Sequence, residues 1–287
     1  MDGLALAAAA PLLIEAREQG YALGAFNAYN LETVQAIVSA AEEERAPVIL
    51  QTSQGALKYA GLSQLWSLAS TAAKAARVPV AVHLDHGTDL SVVWRCLRAG
   101  FTSVMFDGSH LPMPENAALT RRVVEVAREL QVSVEAELGR ISGTEEEISV
   151  EDREAYFTDP DEAAWFVRET AVDALAVAVG TAHGRYRGEP RLDFARLEEI
   201  ARKVKVPLVL HGSSGLPDEA VRRAIGLGVA KFNIDTELRE AFVGALSGAL
   251  AAHPGEIDPR RLLAPAREAV KAKVREKLRL FGSSGKA

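Results

Sequence analysis

The sequence predicts a single (β/α)8 barrel of the TIM type, and three observations carry that expectation. Short runs of β-branched and small apolar residues alternate eight times with helical stretches, with no break in composition along the chain. The runs are almost continuously apolar, as parallel strands covered on both faces are. Each run also ends on a polar residue that the packing of an apolar strand does not call for. At 287 residues the chain has the length of one such barrel, read as one domain over 1–287.

The elements follow in order. Leu4 to Ile14 is apolar, lacks a basic region before it and continues as Glu15-Ala16-Arg17-Glu18. It therefore reads as a helix capping the barrel, not as a signal peptide. Tyr21 to Asn27 is strand one, and Leu31 to Arg45 a helix with Val34, Ile37, Val38 and Ala41 on one face. Ala46 to Gln51 is strand two, followed by a loop through Ser53-Gln54-Gly55 and a helix over Ser63 to Ala76. Val78 to Gly87 carries strand three, with a helix from Leu90 to Ala99 behind it. Thr102 to Asp107 is strand four, its helix runs from about Pro114 to Leu130, and Val132 to Glu137 is strand five.

The polar segment from Gly139 to Thr158 is about as long as a structureless loop becomes in a compact domain, and reads as a mobile lid. Asp159-Pro160-Asp161-Glu162 is a capped helix start. Asp173 to Val179, Val206 to His211 and Val229 to Asn233 are strands six, seven and eight. Helices are expected at Phe194 to Lys203, at Pro217 to Leu227 and after Thr236. A C-terminal extension of about 259–287 is expected to be helical from Pro259 to Leu280.

Bulk composition narrows the function. A net charge of −6 argues against nucleic acid or an anionic membrane as the main partner, so an anionic substrate needs a locally basic pocket. The lone Cys96 rules out an intramolecular disulfide framework and fits a reducing compartment. No run of about 18 or more apolar residues is present, so a membrane span is not expected and a cytoplasmic location is.

The polar strand ends are Asn27, Gln51, Asp85 with His86, Asp107, Glu137, His183, His211, and Asn233 with Asp235. They belong to the one face of a barrel on which this fold carries its chemistry. His86, His183 and His211 are each followed by glycine, at Gly87, Gly184 and Gly212. Any one histidine is adequately explained as a structural, hydrogen-bonded residue; three such pairs at three strand ends are not. Three imidazoles that leave a coordination position open form the pattern of a catalytic zinc. Asp107 and Glu137 are oxygen ligands suited to a second cation or to orienting the histidines. Gly184, Gly212-Ser213-Ser214-Gly215 and Asn233-Ile234-Asp235-Thr236 offer backbone N–H groups where barrels bind phosphate, with Arg187 and Arg239 as nearby charge.

Five stretches carry a resemblance: His83-Leu84-Asp85-His86, Val134-Glu135-Ala136-Glu137-Leu138-Gly139, Gly180-Thr181-Ala182-His183-Gly184, Leu210-His211-Gly212-Ser213-Ser214-Gly215 and Asn233-Ile234-Asp235-Thr236. Together with Gly24-Ala25-Phe26-Asn27 and Asp258-Pro259-Arg260 they resemble the class II, zinc-dependent ketose-bisphosphate aldolases across essentially the whole chain. The resemblance implies zinc on His86, His183 and His211, and a second cation, divalent or monovalent, at Asp107 and Glu137. It implies Asp85 as the acid/base at the C4 oxygen, Glu145 as the lid residue that moves the C3 proton, and Asn233 as a group orienting the intermediate. Gly184, Gly212, Ser213, Ser214, Asn233, Ile234, Asp235 and Thr236 match contacts to dihydroxyacetone phosphate. Asn27, Ser53 and Arg239 match residues at the other end of the substrate. Arg260 resembles an arginine lent by a neighbouring subunit, which goes with a homodimer or homotetramer. The family often has lysine where this chain has Arg187, and that exchange is not conservative at a phosphate contact.

The implied reaction is reversible cleavage of fructose 1,6-bisphosphate to dihydroxyacetone phosphate and glyceraldehyde 3-phosphate. Tagatose 1,6-bisphosphate is the alternative. Asp235 resembles the fructose-specific relatives, where tagatose-specific ones tend to have alanine, whereas Thr181-Ala182-His183-Gly184 and Asp193-Phe194 resemble the tagatose branch. Asp235 is weighted more heavily because it can reach substrate. A Schiff-base aldolase would need a desolvated lysine; strand six has none, and Lys231 on strand eight reads as one half of a barrel ion pair. A zinc hydrolase would use the same three histidines to activate water. A non-catalytic metal protein would have no use for Asp85 and Glu145.

Overall fold

The structure, a computed structural model, describes residues 6–145, 148–150, 156–186, 188 and 190–287, with the backbone alone for 142–145 and 148–150. Helix α1 (Ala9–Gln19) precedes β1 (Leu23–Asn27), α2 (Leu31–Glu44), β2 (Val48–Ser53), α3 (Gln54–Ala60) and α4 (Leu62–Ala75). Next come β3 (Val80–Gly87), α5 (Leu90–Ala99), β4 (Ser103–Phe106), α6 (Met113–Glu129) and β5 (Ser133–Leu138). Two short strands, β6 (Ser142–Glu145) and β7 (Ile148–Val150), lead to α7 (Pro160–Thr170), β8 (Ala174–Val177) and β9 (Ala182–His183). The chain closes with α8 (Phe194–Lys203), β10 (Leu208–Leu210), α9 (Asp218–Gly226), β11 (Val229–Ile234), α10 (Thr236–Ala252) and α11 (Pro259–Leu280).

Among the described residues, eight parallel strands close in the order β1-β11-β10-β8-β5-β4-β3-β2, which is the expected TIM barrel. Strand alternation sorts its side chains. On β3, Val80, Val82 and Leu84 face the helices, while Ala81, His83 and Asp85 take the inner face. The lowest inner layer is small and apolar, built from Leu23, Ala25, Ile49, Ala81, Ala174, Ala176, Val209 and Ala230. Helix α1 closes this end with Ala9, Leu13 and Ala16, and the Ala10 N–H donates to Ser133 Oγ at 2.8 Å. Toward the C-terminal ends the inner residues turn polar and ionic.

Three local expectations change. The apolar start of the chain is not all helix: Leu6 bridges Val80, and the helix begins at Ala9. The loop expected through Ser53-Gln54-Gly55 is instead the first turn of α3, because Ser53 accepts the Ala56 N–H and Gly61, with φ 88, separates α3 from α4. The segment after Gly139 is not wholly irregular: β6 and β7 pair antiparallel, and β6 pairs parallel with β9, aligning Gly143 with His183. Among the described residues, no helix is long and apolar enough to cross a membrane.

The extension after Pro259 forms α11, which packs on α2 and α10. Glu44, at the end of α2, anchors it: its carboxylate accepts from Arg275 Nε at 2.8 Å, Arg279 Nη2 at 2.7 Å and Ser284 Oγ at 3.0 Å. The hydrogen bond from Arg279 is the main reason the Glu44 carboxyl is lowered to about 2, with Arg275 and Ser284 adding to it against the opposing effect of burial. The last residues follow, since Gly285 N–H donates to Glu44 O and Ala287 N–H to Arg45 O. A carboxyl lowered in the fold stabilises above its unfolded value and loses that contribution as pH falls through its folded value. Glu44→Gln should therefore lower stability by about 1 kcal/mol near neutral pH, the arginines being part-exposed and screened. The gap between variant and parent, measured by urea melts, should close as pH falls from about 4.5 towards 2.

Candidate active site

The site begins at the end of β3. Strands β3 and β4 lose register between Leu84 and Gly87, so β3 carries one extra residue there. His86 sits in that bulge in the left-handed region at φ 45, an unusual conformation for a residue with a side chain. Gly87 makes it possible, because a Cβ there would lie 2.5 Å from Met105 O. At the second turn, Gly212 has φ 59 and passes so near Ala182 that a Cβ would lie 2.5 Å from its carbonyl oxygen. The glycines after His86 and His211 are thus required where the backbone passes against Met105 and Ala182.

His86, His183 and His211 place their donor nitrogens within 4.8 Å of one another, all buried. Behind two of them stand carboxylates. His86 Nδ1 lies 2.8 Å from Asp107 Oδ2, and His211 Nε2 lies 2.8 Å from Glu135 Oε1. Burial alone would raise the Asp107 carboxyl, but the His86 hydrogen bond and charge, with Ser109, hold it well below the ordinary carboxylate range. Burial would raise Glu135 likewise, and the Lys231 ammonium, then the His211 hydrogen bond, bring it well below.

An ionised carboxylate only accepts hydrogen bonds, so each takes an N–H from its histidine. The inner nitrogens of the two rings, His86 Nε2 and His211 Nδ1, face each other at 2.8 Å. That separation requires either a proton on one of the two nitrogens or a cation held by both. Burial, followed by the charge of His86, lowers the affinity of His211 for a further proton. A divalent metal ion on the three imidazoles fits this donor set, and a borderline-soft ion such as zinc fits it best.

A second group, His86, Asp107 and Glu137, also has its donor atoms within 4.8 Å. Burial, and then the charge of Asp107, pushes the Glu137 carboxyl well above its ordinary value. Its Oε2 has no hydrogen-bond partner among the described residues. A cation beside it would relieve both conditions.

Asp85 stands next to the histidine cluster as an acceptor for three amides. Its Oδ2 accepts from Asn27 Nδ2 at 3.2 Å and Gln51 Nε2 at 3.1 Å, and its Oδ1 from Asn233 Nδ2 at 3.0 Å. Asn233 Nδ2 is also 3.3 Å from His211 Nε2, so one amide touches both the carboxylate and the cluster. At the rim, Asp235 pairs with Arg239 Nη2 at 2.7 Å, and Arg239 Nε also donates to Tyr29 Oη at 3.0 Å. Burial outweighs Arg239 and raises the Asp235 carboxyl to about 6.

The turns expected to hold phosphate come together too. Ser214 Oγ accepts the Asp235 N–H, Ser213 Oγ donates to Leu210 O, and Gly184 has φ 80. Ile234 has its side chain in the core, so only its backbone faces the site, and Thr236 opens α10. Ser53 caps α3 with its hydroxyl.

Three expected residues are not gathered with the rest. Glu145 ends β6, two residues beyond the Gly143 that aligns with His183, with only its backbone described. Arg187 lies outside the described residues. The Arg260 side chain is 89% exposed and pairs with Asp258 at 2.8 Å, away from the buried cluster of its own chain.

Sequence reasoning named Lys231 as half of a barrel ion pair, and it is: Nζ lies 2.7 Å from Glu135 Oε2 with the lysine fully buried. It passed over Glu135 itself, although Glu135 and Glu137 share a face by strand alternation. It also passed over Tyr186, whose hydroxyl accepts the Ala182 N–H at 3.1 Å and donates to Gly212 O at 2.7 Å, bracing the two glycine turns against each other.

The sequence profile of the family described as fructose-bisphosphate aldolase class-II matches residues 7–286. The chain belongs to this class II aldolase family. It is 48% identical to a fructose-bisphosphate aldolase of Thermus caldophilus, covering 96% of this chain and 98% of that one. It is 46% identical to the D-tagatose-1,6-bisphosphate aldolase subunit GatY of Klebsiella oxytoca, covering 96% of each. The YdjI aldolase of Escherichia coli superposes with a TM-score of 0.87 at 35% identity, over 98% of this chain and 99% of that one. A putative fructose-1,6-bisphosphate aldolase of Coccidioides immitis does so with 0.87 at 35%, over 96% of each.

For a class II aldolase the decisive ligand test is direct. His211→Ala, which removes one of the three nitrogens, should weaken zinc binding by more than about 100-fold, the upper end of what losing a mere supporting group costs. Competition against a chromophoric chelator measures this. Circular dichroism should show the barrel intact with and without zinc, because its apolar core does not include the cluster.

Proposed function

We propose that this class II aldolase cleaves fructose 1,6-bisphosphate reversibly to dihydroxyacetone phosphate and glyceraldehyde 3-phosphate, with zinc on His86, His183 and His211. The observation that carries the reading is Asp85, a buried carboxylate held by three amides beside a three-histidine cluster. When bound, zinc supplies Lewis-acid stabilisation of the negative charge that develops at the carbonyl end of the substrate as the C3–C4 bond breaks. Asp85 accepts the C4 hydroxyl proton during cleavage and returns it in the condensation direction. Its amide partners keep it aimed, since none of them can take that proton. Asn233, which touches both Asp85 and His211, orients the reacting carbons. Glu145 then delivers the proton to C3 of the three-carbon product.

Gly184, Gly212, Ser213, Ser214 and the 233–236 turn hold one phosphate end through backbone N–H groups. Asn27, Ser53 and Arg239 serve the other end, and Asp107 and Glu137 a second cation. Arg260, exposed on its own chain, is assigned to the site of a neighbouring copy in a homodimer or homotetramer. Asp85→Asn should depress cleavage by at least about 100-fold, the scale for a positioned acid or base. Glu145→Ala should chiefly slow exchange of the C3 proton of dihydroxyacetone phosphate with solvent. Normal exchange in that variant would remove the lid residue from the mechanism.

Tagatose 1,6-bisphosphate is the second reading, kept open by the 46% identity to the tagatose-bisphosphate relative beside 48% to the fructose one. The two sugars differ in configuration at C4, so discrimination falls to polar groups around that hydroxyl. The resemblance of Asp235 to the fructose-specific relatives favours fructose, and the structure pairs that carboxyl with Arg239. Asp235→Ala should shift the kcat/KM ratio towards tagatose. Because the carboxyl titrates at about 6, the fructose preference of the parent should fall as pH drops from about 7 to 5, while the variant's stays flat. A parent enzyme that prefers tagatose, or a ratio indifferent to the substitution, would discard Asp235 as the discriminator.

A further inference from the structure

We propose that Glu135, clamped by Lys231, is the positioning residue that decides which nitrogen of His211 faces the cation site. This rests on the metal reading of the three-histidine cluster and adds to it the group that sets the tautomer and basicity of one ligand.

An imidazole can present either nitrogen to a metal, and the hydrogen bond made by the other one decides which. In His211 that bond runs from Nε2 to Glu135 Oε1 at 2.8 Å, leaving Nδ1 towards His86 Nε2. Glu135 cannot swing away, because its second oxygen holds Lys231 Nζ at 2.7 Å and its side chain is 3% exposed. Lys231 is fixed in turn: Nζ lies 3.4 Å from His83 Nε2, and His83 Nδ1 lies 2.7 Å from Ser103 Oγ. The string Ser103–His83–Lys231–Glu135–His211 therefore crosses the barrel interior directly above its alanine-rich floor.

A purely structural reading would make Glu135 and Lys231 filler for the barrel. Against it, a buried ion pair contributes little net stability compared with apolar residues of similar volume. The layer beneath is packed with Ala81, Ala174, Ala176 and Ala230, so this barrel closes well on small apolar side chains. What an apolar pair cannot do is accept the Nε2 proton of His211 and raise the electron density at Nδ1.

The test uses the full chain, with zinc and cobalt(II) as probes. Wild type must first bind at least one zinc ion per chain. If it does not, the metal reading fails, whatever Glu135 does. Glu135→Leu alone leaves the Lys231 ammonium unpaired, so the informative protein is the double variant Glu135→Leu, Lys231→Met, which removes both charges and the acceptor of the His211 N–H together. We expect its thermal stability to return to the parent's while zinc affinity stays lowered by about 10- to 100-fold, the range for losing a supporting partner of a metal ligand. The visible absorption envelope of its cobalt form should also change. A double variant with parental stability, zinc affinity and cobalt spectrum would overturn the proposal. Should that variant not fold, spectra of 15N-histidine-labelled wild type decide. Zinc must shift His211 Nδ1 while Nε2 stays protonated, and a zinc-shifted Nε2 would overturn the assignment.

Discussion

The geometry of the site depends on two imidazoles whose outer N–H groups are already given away. Asp107 takes one from His86 and Glu135 takes one from His211, and the inner nitrogens of the rings are left 2.8 Å apart. Two bare nitrogens at that distance would be unfavourable in a buried, weakly polarisable interior, so the pair must share a proton or a metal cation. Everything nearby is consistent with that constraint. The bulge in β3 turns His86 inward through a strained backbone angle, Gly87 leaves room for it, and Lys231 anchors the carboxylate behind His211.

The barrel supports this through a gradient along its axis. Inner residues are apolar at the α1 end, then ionic, then amides hydrogen-bonded to Asp85 at the opposite end. Folding energy and chemistry are thereby assigned to different layers of the same strands. The apolar floor and the helices outside supply burial, while the ionic layer holds fixed charges where no water screens them.

Much of this was legible in the sequence, for a simple reason. A buried parallel strand is apolar throughout, so a histidine, aspartate or glutamate at its C-terminal end stands out against the pattern. Asp85, His86, Asp107, Glu137, His211 and Asn233 are all of this kind, and the structure brings them together. His183 was visible through its glycine, although it lies on β9 beyond the barrel strand. Other features gave no such contrast. Glu135 sits mid-strand, and only the cross-barrel distances reveal that it faces His211 and Lys231. Helix α3 was hidden because Ser53-Gln54-Gly55 carries turn-forming residues, and Ser53 works there as a helix cap. The short strands β6 and β7 lie in a polar stretch whose pairing depends on β9, about forty residues downstream, which no local pattern reports.

That pairing has a practical meaning for anyone recombining these enzymes. Strand β6 leads to Glu145 and is laddered to β9, whose last residue is His183. The two segments are far apart in the chain but form one mechanical piece. A chimera that exchanges residues 142–150 between relatives without also exchanging 182–183 would mix the two sides of a backbone ladder that includes His183 itself. The natural crossover unit is therefore discontinuous, and loop grafting in this scaffold should treat both segments as a single cassette.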